Sequence, residues 1–332
     1  MKPQVTVVVA PRERFSCTER ALESLYENTS IPFKHIYVDG GSPRHIKRYL
    51  EAQAKEKGFH LIRTNHYITP NHARNLAIPH VDTPYVVFID NDLVVLPGWL
   101  EKLVQCAEET GAWVVGPLYL EGEPEDQTIH MAGGEAHIHE VRGGRRLAEC
   151  HRFGGQPLEK HRDKLRREPT ELVEFHCAFM RTEVFEKLGL LDEAYKSLGD
   201  HIDLCLSVTE RGESIYFEPD SLVCYLTPPP FALTDIPYYW LRWSDEWNMS
   251  SVQRLQEKWN LSPDDPFLEG HYRWGVRHRR ILFKPVMDWL KNLQGQSKLS
   301  QGLVNGAMSL VKMIMRSGAS YDKFRENNLA KP

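Results

Sequence analysis

The sequence has no uninterrupted apolar run of the roughly 18 residues that a membrane-spanning helix requires, so no such helix is expected. Cysteine is sparse. The six residues Cys17, Cys106, Cys150, Cys177, Cys205 and Cys224 are scattered, without the close spacing of a zinc knuckle or redox pair, so reduced thiols in a cytosolic setting are expected. Charge of either sign is not in excess: a net charge of −4 supplies no global attraction for nucleic acid, which is therefore not expected as a partner. The chain also lacks a glycine-rich loop after its first apolar run, where APRERFS follows instead. That absence argues against a dinucleotide-dependent oxidoreductase, whose glycines let the backbone approach a pyrophosphate, and against a nucleotidyltransferase.

Present instead is the composition of an ordinary globular protein, 41% hydrophobic and 26% charged, with enough of its 332 residues apolar to bury a large core. The opening MKPQVTVVVAPRERF passes straight into an apolar run broken by charge, which reads as a strand rather than a secretion signal. A cytoplasmic location is expected, extending to the inner face of a membrane.

Short apolar runs at 5–10, 35–39, 60–64, 85–90 and 113–118 alternate with helical stretches near 18–28, 43–57, 71–78 and 97–110. This alternation predicts an α/β fold, a mostly parallel sheet with flanking helices of the doubly wound type. Ligands in such sheets collect beyond the carboxyl ends of the strands, where Asp39 and Asp90 fall. Residues 119–172, rich in Gly, His and Arg, predict an irregular insertion of hairpins or long loops in a domain covering 1–230. Strand and helix patterns resume at 172–189 and 201–212, and an aromatic, then basic, helical extension occupies 231–332.

The chemistry concentrates in TPYVVFIDNDLVVLPGWL, where Asp90 and Asp92 flank Asn91 at the end of a buried strand. Carboxylates are costly in an apolar run. A hard divalent cation, Mg²⁺ or Mn²⁺, would explain them, since it takes one or two carboxylates and completes its shell with phosphate and water. An Asx turn capping the next helix explains them equally well.

In order, VTVVVAP with ALESLYENT, HIYVDGGS, NHARNLA, YVVFIDND, CAFMRTEVFEKLGLLDEAY and GDHIDLCLSVTERGESIYFEPDSLV resemble the motifs of family 2 glycosyltransferases of the GT-A fold, over about residues 4–226. The resemblance implies a metal-dependent enzyme that moves a sugar from a UDP- or GDP-sugar to a glycan, lipid-linked or protein acceptor, with inversion. It implies that Asp39 contacts the nucleoside, and that Asp90 and Asp92, with Asn91 between, hold the metal and the ribose-diphosphate. Arg74 would lie near the donor, by a phosphate or as a solvated helix residue. Pro11 and Arg12, with Arg14, would border the nucleobase.

Two positions depart from the family pattern. The family's Glu-Asp pair before the catalytic helix is replaced by Asp200-His201, so Asp200 or His201 is the general base, with Asp200 favoured, and Asp203 is a possible helix cap. Tyr225 stands where relatives carry a metal-binding His. These departures keep open a degenerate protein that binds a nucleotide-sugar without turnover.

Other clusters read more plainly. His130, His137, His139, Cys150, His151, His161, His176 and Cys177 supply zinc-type donors, but their spacing matches no familiar finger or ribbon, so loop histidines are expected. Tyr238, Tyr239, Trp240, Trp243 and Trp247 recur at helical spacing and are expected to pack in a core, with Trp240 and Trp243 as candidate acceptor platforms. The basic run 271–284 and Leu299, Leu303, Leu310 and Ile314 suggest either peripheral contact with an anionic membrane or a helical extension packed on the domain or on a second subunit.

Overall fold

The computed structural model describes residues 2–293 together with 305, 306, 309, 321, 323, 324 and 326. Leu299, Leu303, Leu310 and Ile314 lie outside the described residues. Strands β1 (Val5–Ala10) and β4 (Tyr85–Asp90) are buried along their whole length. Unbroken apolar runs rich in β-branched residues suit strands covered on both faces. Between them come α1 (Thr18–Glu27), β2 (Phe33–Gly40), α2 (Arg44–Lys57), β3 (His60–Thr64) and α3 (Pro70–Ala77). The helices start and stop where local chemistry dictates. Pro70 opens α3 behind Thr69, whose hydroxyl accepts from His72 N, and α2 ends at Gly58 with φ 74°.

After the acidic turn follow β5 (Leu93–Val95), α4 (Trp99–Thr110) and β6 (Val114–Glu121), then β7 (Thr128–Met131), β8 (Gly134–Val141), β9 (Gly144–His151), β10 (Gln156–Pro157) and β11 (Glu168–Thr170). The second half holds β12 (Cys177–Arg181), α5 (Glu183–Leu188), α6 (Asp200–Thr209) and β13 (Ile215–Tyr225), then α7 (Ile236–Arg242), α8 (Asp245–Trp259) and α9 (Pro266–Leu293). The main sheet runs β10-β7-β6-β12-β4-β1-β2-β3, with β13 beside β6, β11 and β5. β3, β2, β1 and β4 are mutually parallel, whereas β12 is antiparallel to both β4 and β6. The parallel half therefore carries the expected switch point, and the antiparallel β12 brings its leading segment back beside Asp90.

Residues 119–172 are more ordered than a loop-rich insertion. β7 extends the main sheet, and β8 with β9 forms a separate two-stranded hairpin. The hairpin is tied down where Leu147 N donates to Asp265 at 2.9 Å and Ser262 N to Arg145 O at 2.8 Å. Helices α7 and α8 bury Tyr238, Tyr239, Trp243, Trp247 and Trp259. Tyr238 packs on Phe15 and Tyr67, and its hydroxyl donates to Ile68 O. The aromatic segment is thus joined to the carboxyl edge of the sheet through buried rings.

Candidate active site

The sheet register sets the site. Ala10 pairs with Asp90 and Gly40 with Thr64, so the ends of β1, β2 and β4 converge with Asp39 and Asp90 on either side of β1. Asp39 is buried: its carboxylate accepts from Ser42 N and Oγ, both at 2.8 Å, and from Arg63. Asn91 is structural in this arrangement. Its Oδ1 accepts from Arg12 N at 2.9 Å and its Nδ2 donates to Arg14 O at 3.1 Å, so its amide holds the loop after β1 against the acidic turn. Pro11, the first residue of that loop, lies against β2, where a Cβ on Gly40 would stand 2.8 Å from its ring.

Arg74 is fully buried, which excludes the solvated helix arginine. Its Nη1 donates to Asp200 at 2.7 Å and to Asn71 Oδ1 at 2.9 Å, its Nη2 reaches Asp90 at 3.4 Å, and its guanidinium lies 3.9 Å from the Phe175 ring centre. This one side chain joins the acidic turn to the first residue of α6. Asp90 is further approached by Arg12 Nε at 3.3 Å and His176 Nδ1 at 3.0 Å. Burial works against its charge, but Arg12, His176 and Arg74 outweigh it and hold the carboxyl below the usual range.

Asp92 is the opposite case. It is fully buried and, among the described residues, neither carboxylate oxygen has a hydrogen-bond partner. Burial, then the nearby charges of Glu13 and Asp90, push it well above the ordinary carboxyl value. Glu13 Oε1 is likewise unpartnered. Arg14 and Arg12 lie near enough to offset part of the push on Asp92, but neither bonds to it, so the buried carboxylate is left unsatisfied. Oxygen donors of this kind fit a hard divalent cation, so these residues are compatible with the metal expected from the sequence resemblance.

At the head of α6, Gly199 takes a left-handed conformation, φ 83°, and no side chain caps the helix. Asp203 is not a cap: it accepts from Tyr195, Lys258 and Trp259 inside the core. His201 Nε2 lies 3.2 Å from Glu149 on β9, and its Nδ1 lies 3.6 Å from Asp200. Burial alone would lower its pKa, but bonding to Asp200 and Glu149 raises it to about 10. Asp200 is buried too, yet His201 and Arg74 keep it ionised, below the usual range.

A cavity of about 610 Å³ opens beside this network, lined by Arg12, Glu174, His176, Asp200, His201 and Trp274 among others. Glu149 and His130, from the insertion, also face it. His130 was among the zinc-type donors that the sequence offers, expected as a loop histidine, whereas Glu149 did not stand out from its neighbours, because β9 is brought here only by the tertiary fold. Tyr225 stands at the rim, its hydroxyl donating to Glu13 at 2.6 Å. Trp243 corrects an expectation: it is fully buried and stacked on His278 at 4.1 Å, so its face is not open to a sugar. Trp240 meets Phe283 edge-on at 5.6 Å. The aromatic residue exposed in the cavity wall is Trp274.

This α/β architecture with an acidic turn at the sheet switch point is that of the GT-A nucleotide-sugar transferases. The sequence profile of glycosyl transferase family 2 matches residues 6–189, more than half of the chain, and the protein belongs to that family. It is 25% identical over 223 residues to the O-antigen biosynthesis protein RfbC of Myxococcus xanthus, covering 63% of this chain and 16% of that protein. It is 27% identical over 224 residues to the pre-mycofactocin glycosyltransferase of Mycobacterium tuberculosis strain H37Rv, covering 67% and 42%. The chain thus spans less than half the length of either relative. In fold it is similar to GalNAc-T7 solved with UDP, GalNAc and Mn²⁺ (TM-score 0.53, 16% identity, 83% of this chain and 56% of that one). It is also similar to the mannosyltransferase PcManGT of Pyrobaculum calidifontis with GDP-Man and Mn²⁺ (TM-score 0.53, 15% identity, 99% and 88%). Among the described residues no helix is long and apolar enough to cross a membrane.

Proposed function

We propose that this protein transfers a sugar from a UDP- or GDP-sugar to an acceptor hydroxyl during glycan assembly, with inversion at the sugar carbon. The observation that carries the reading is the buried chain Asp90–Arg74–Asp200, at 3.4 and 2.7 Å, which couples the acidic turn to the residue facing the acceptor side. Asp92, with Asp90 beside it, would hold a divalent cation, Mg²⁺ or Mn²⁺; when bound, such a cation offsets the charge growing on the leaving diphosphate. Arg12 and Asp39 line the donor side of the proposal, Arg12 offering a guanidinium to phosphate and Asp39 a carboxylate to the nucleoside. Arg74 acts as a positioning residue, because its hydrogen bonds are already committed to protein carboxylates and Asn71.

Asp200 is the base in this reading. His201, with a pKa of about 10, is imidazolium at neutral pH and has no free lone pair to take a proton. It instead holds Asp200 from one side while Arg74 holds it from the other. Exposed Trp274 and Trp289 on α9 support either peripheral contact with the inner face of a membrane or a homodimer through this C-terminal region. The test is release of nucleoside diphosphate from UDP- and GDP-sugars with Mn²⁺, first without and then with acceptor. Asp92→Ala is expected to abolish turnover; a folded, fully active variant removes the assignment. Donor binding without turnover in the parent protein would support the degenerate reading instead.

A further inference from the structure

Six histidines face or border the cavity, and two of them are arranged in a way that ordinary ion pairing does not require. His130 comes from β7 and His176 from the segment leading into β12. Glu174 lies between them. Its Oε2 is 2.7 Å from His130 Nε2 and 3.7 Å from His176 Nε2. One donor atom from each of the three residues falls within 4.8 Å of the others. With metal–ligand bonds of about 2.0–2.2 Å, tetrahedral ligands stand about 3.4 Å apart, so the two measured separations bracket that value.

The far side of each ring supplies an independent observation. His130 Nδ1 lies 3.2 Å from Glu121, and His176 Nδ1 lies 3.0 Å from Asp90. Both imidazoles therefore turn Nδ1 toward a carboxylate and Nε2 toward the same third carboxylate. This is the layout of a carboxylate–histidine–metal site: His130 bonds Glu121 through Nδ1 and shares an Nε2 proton with Glu174 that a bound metal would displace, while His176 Nδ1 lies close to Asp90 without a hydrogen bond between them. His176 is 2% exposed and Glu174 8% exposed, so the cluster is shielded, yet all three residues border the cavity.

We propose that His130 Nε2, His176 Nε2 and the Glu174 carboxylate form a binding site for one zinc-class divalent cation, separate from the oxygen-donor site at Asp92. Two imidazoles and a carboxylate select zinc over the magnesium class, which prefers oxygen donors. The remaining position opens on the cavity, where water completes the shell. His151, with Nε2 3.9 Å from Glu174 Oε1, is the nearest additional imidazole. The ion pins β7 of the insertion to the segment ahead of β12, and so fixes this wall of the cavity. The proposal does not depend on sugar transfer.

The test uses the full chain without donor or acceptor. After loading with Zn²⁺ and exhaustive dialysis, elemental analysis is expected to give about one zinc per chain, and Co²⁺ in its place to show the intense visible absorption of a tetrahedral site. Competition against a chromogenic chelator is expected to show zinc affinity lowered at least about 10-fold in His130→Ala and in Glu174→Gln, and about 10–100-fold in Glu121→Gln, which leaves all three ligands in place. Asp92→Asn should retain the zinc. Absence of stoichiometric zinc in the parent protein overturns the site. So does wild-type affinity in His130→Ala, or loss in Asp92→Asn as large as in His130→Ala. Circular dichroism identifies any variant that has unfolded, in which case Glu121→Gln decides.

Discussion

Replacing Arg74 by Met keeps most of the side-chain volume but removes a cation that, alone among the described residues, touches both Asp90 and Asp200. Both carboxylates are at most 8% exposed, so neither can recover its lost hydrogen bond from bulk water. Breaking a buried ion pair from one side costs at most about 3–5 kcal/mol here, since Arg12 and His176 still face Asp90 and His201 still faces Asp200. At about 2.1 cal/mol/K per residue, unfolding 332 residues corresponds to about 0.7 kcal/mol/K, so the melting midpoint should fall by at most about 4–7 °C. Scanning fluorimetry in the absence of donor measures it. Arg74→Met combined with Asp200→Asn should recover part of the loss, since the second change removes one stranded charge, and the double-mutant cycle isolates that coupling. A midpoint for Arg74→Met within about 1 °C of the parent would refute the idea that this arginine holds the two halves of the site together.

Asp92→Asn should raise thermal stability at pH 7–8 by about 1 kcal/mol while abolishing the turnover with Mn²⁺ proposed above. The folded state holds the Asp92 proton more tightly than the unfolded chain, so the carboxyl erodes stability as pH rises from 3.8 toward its raised folded value; a lower melting point for the variant would contradict this. His201 has the opposite sign. Its raised value of about 10 contributes stability that is complete below about 6.5 and lost as pH climbs through 10. The imidazole should show no titration by NMR between about pH 6 and 8, and a midpoint near 6.5 would return it to the role of base. Trp243→Ala should cost about 3–5 kcal/mol in urea denaturation, as for other fully buried aromatics. Trp240→Ala should cost clearly less, because its ring is only partly buried.

The parallel half of the fold was legible because its strands are covered on both faces and must be continuously apolar, as VTVVVA and YVVFID are. Helix limits near Pro70 and Gly58 followed from backbone restrictions that act locally. The insertion was less legible. The strands β8 and β9 are Gly-, His- and Arg-rich, and their order derives from cross-strand pairing and from anchors at Ser262 and Asp265, more than 100 residues away. Asp203 was open to a capping role in a local reading, yet Lys258 and Trp259 from α8 claim it. Arg74 likewise looks like a surface helix residue until α6 is brought against it.

What the sequence alone determined is the set of things that propagate through nearest neighbours and unbroken patterns: the strands, the helices between them, and the position of Asp39, Asp90 and Asp92 at strand ends. The tertiary structure alone decided which charges are paired. Asp90 and Asp200, 110 positions apart, meet through Arg74; Asp92, two residues from Asp90, is left without a hydrogen-bond partner among the described residues; and His130, Glu174 and His176 converge from separate segments. Side-chain pairing depends on distance and desolvation in three dimensions, and neither quantity is written in the spacing of residues along a chain.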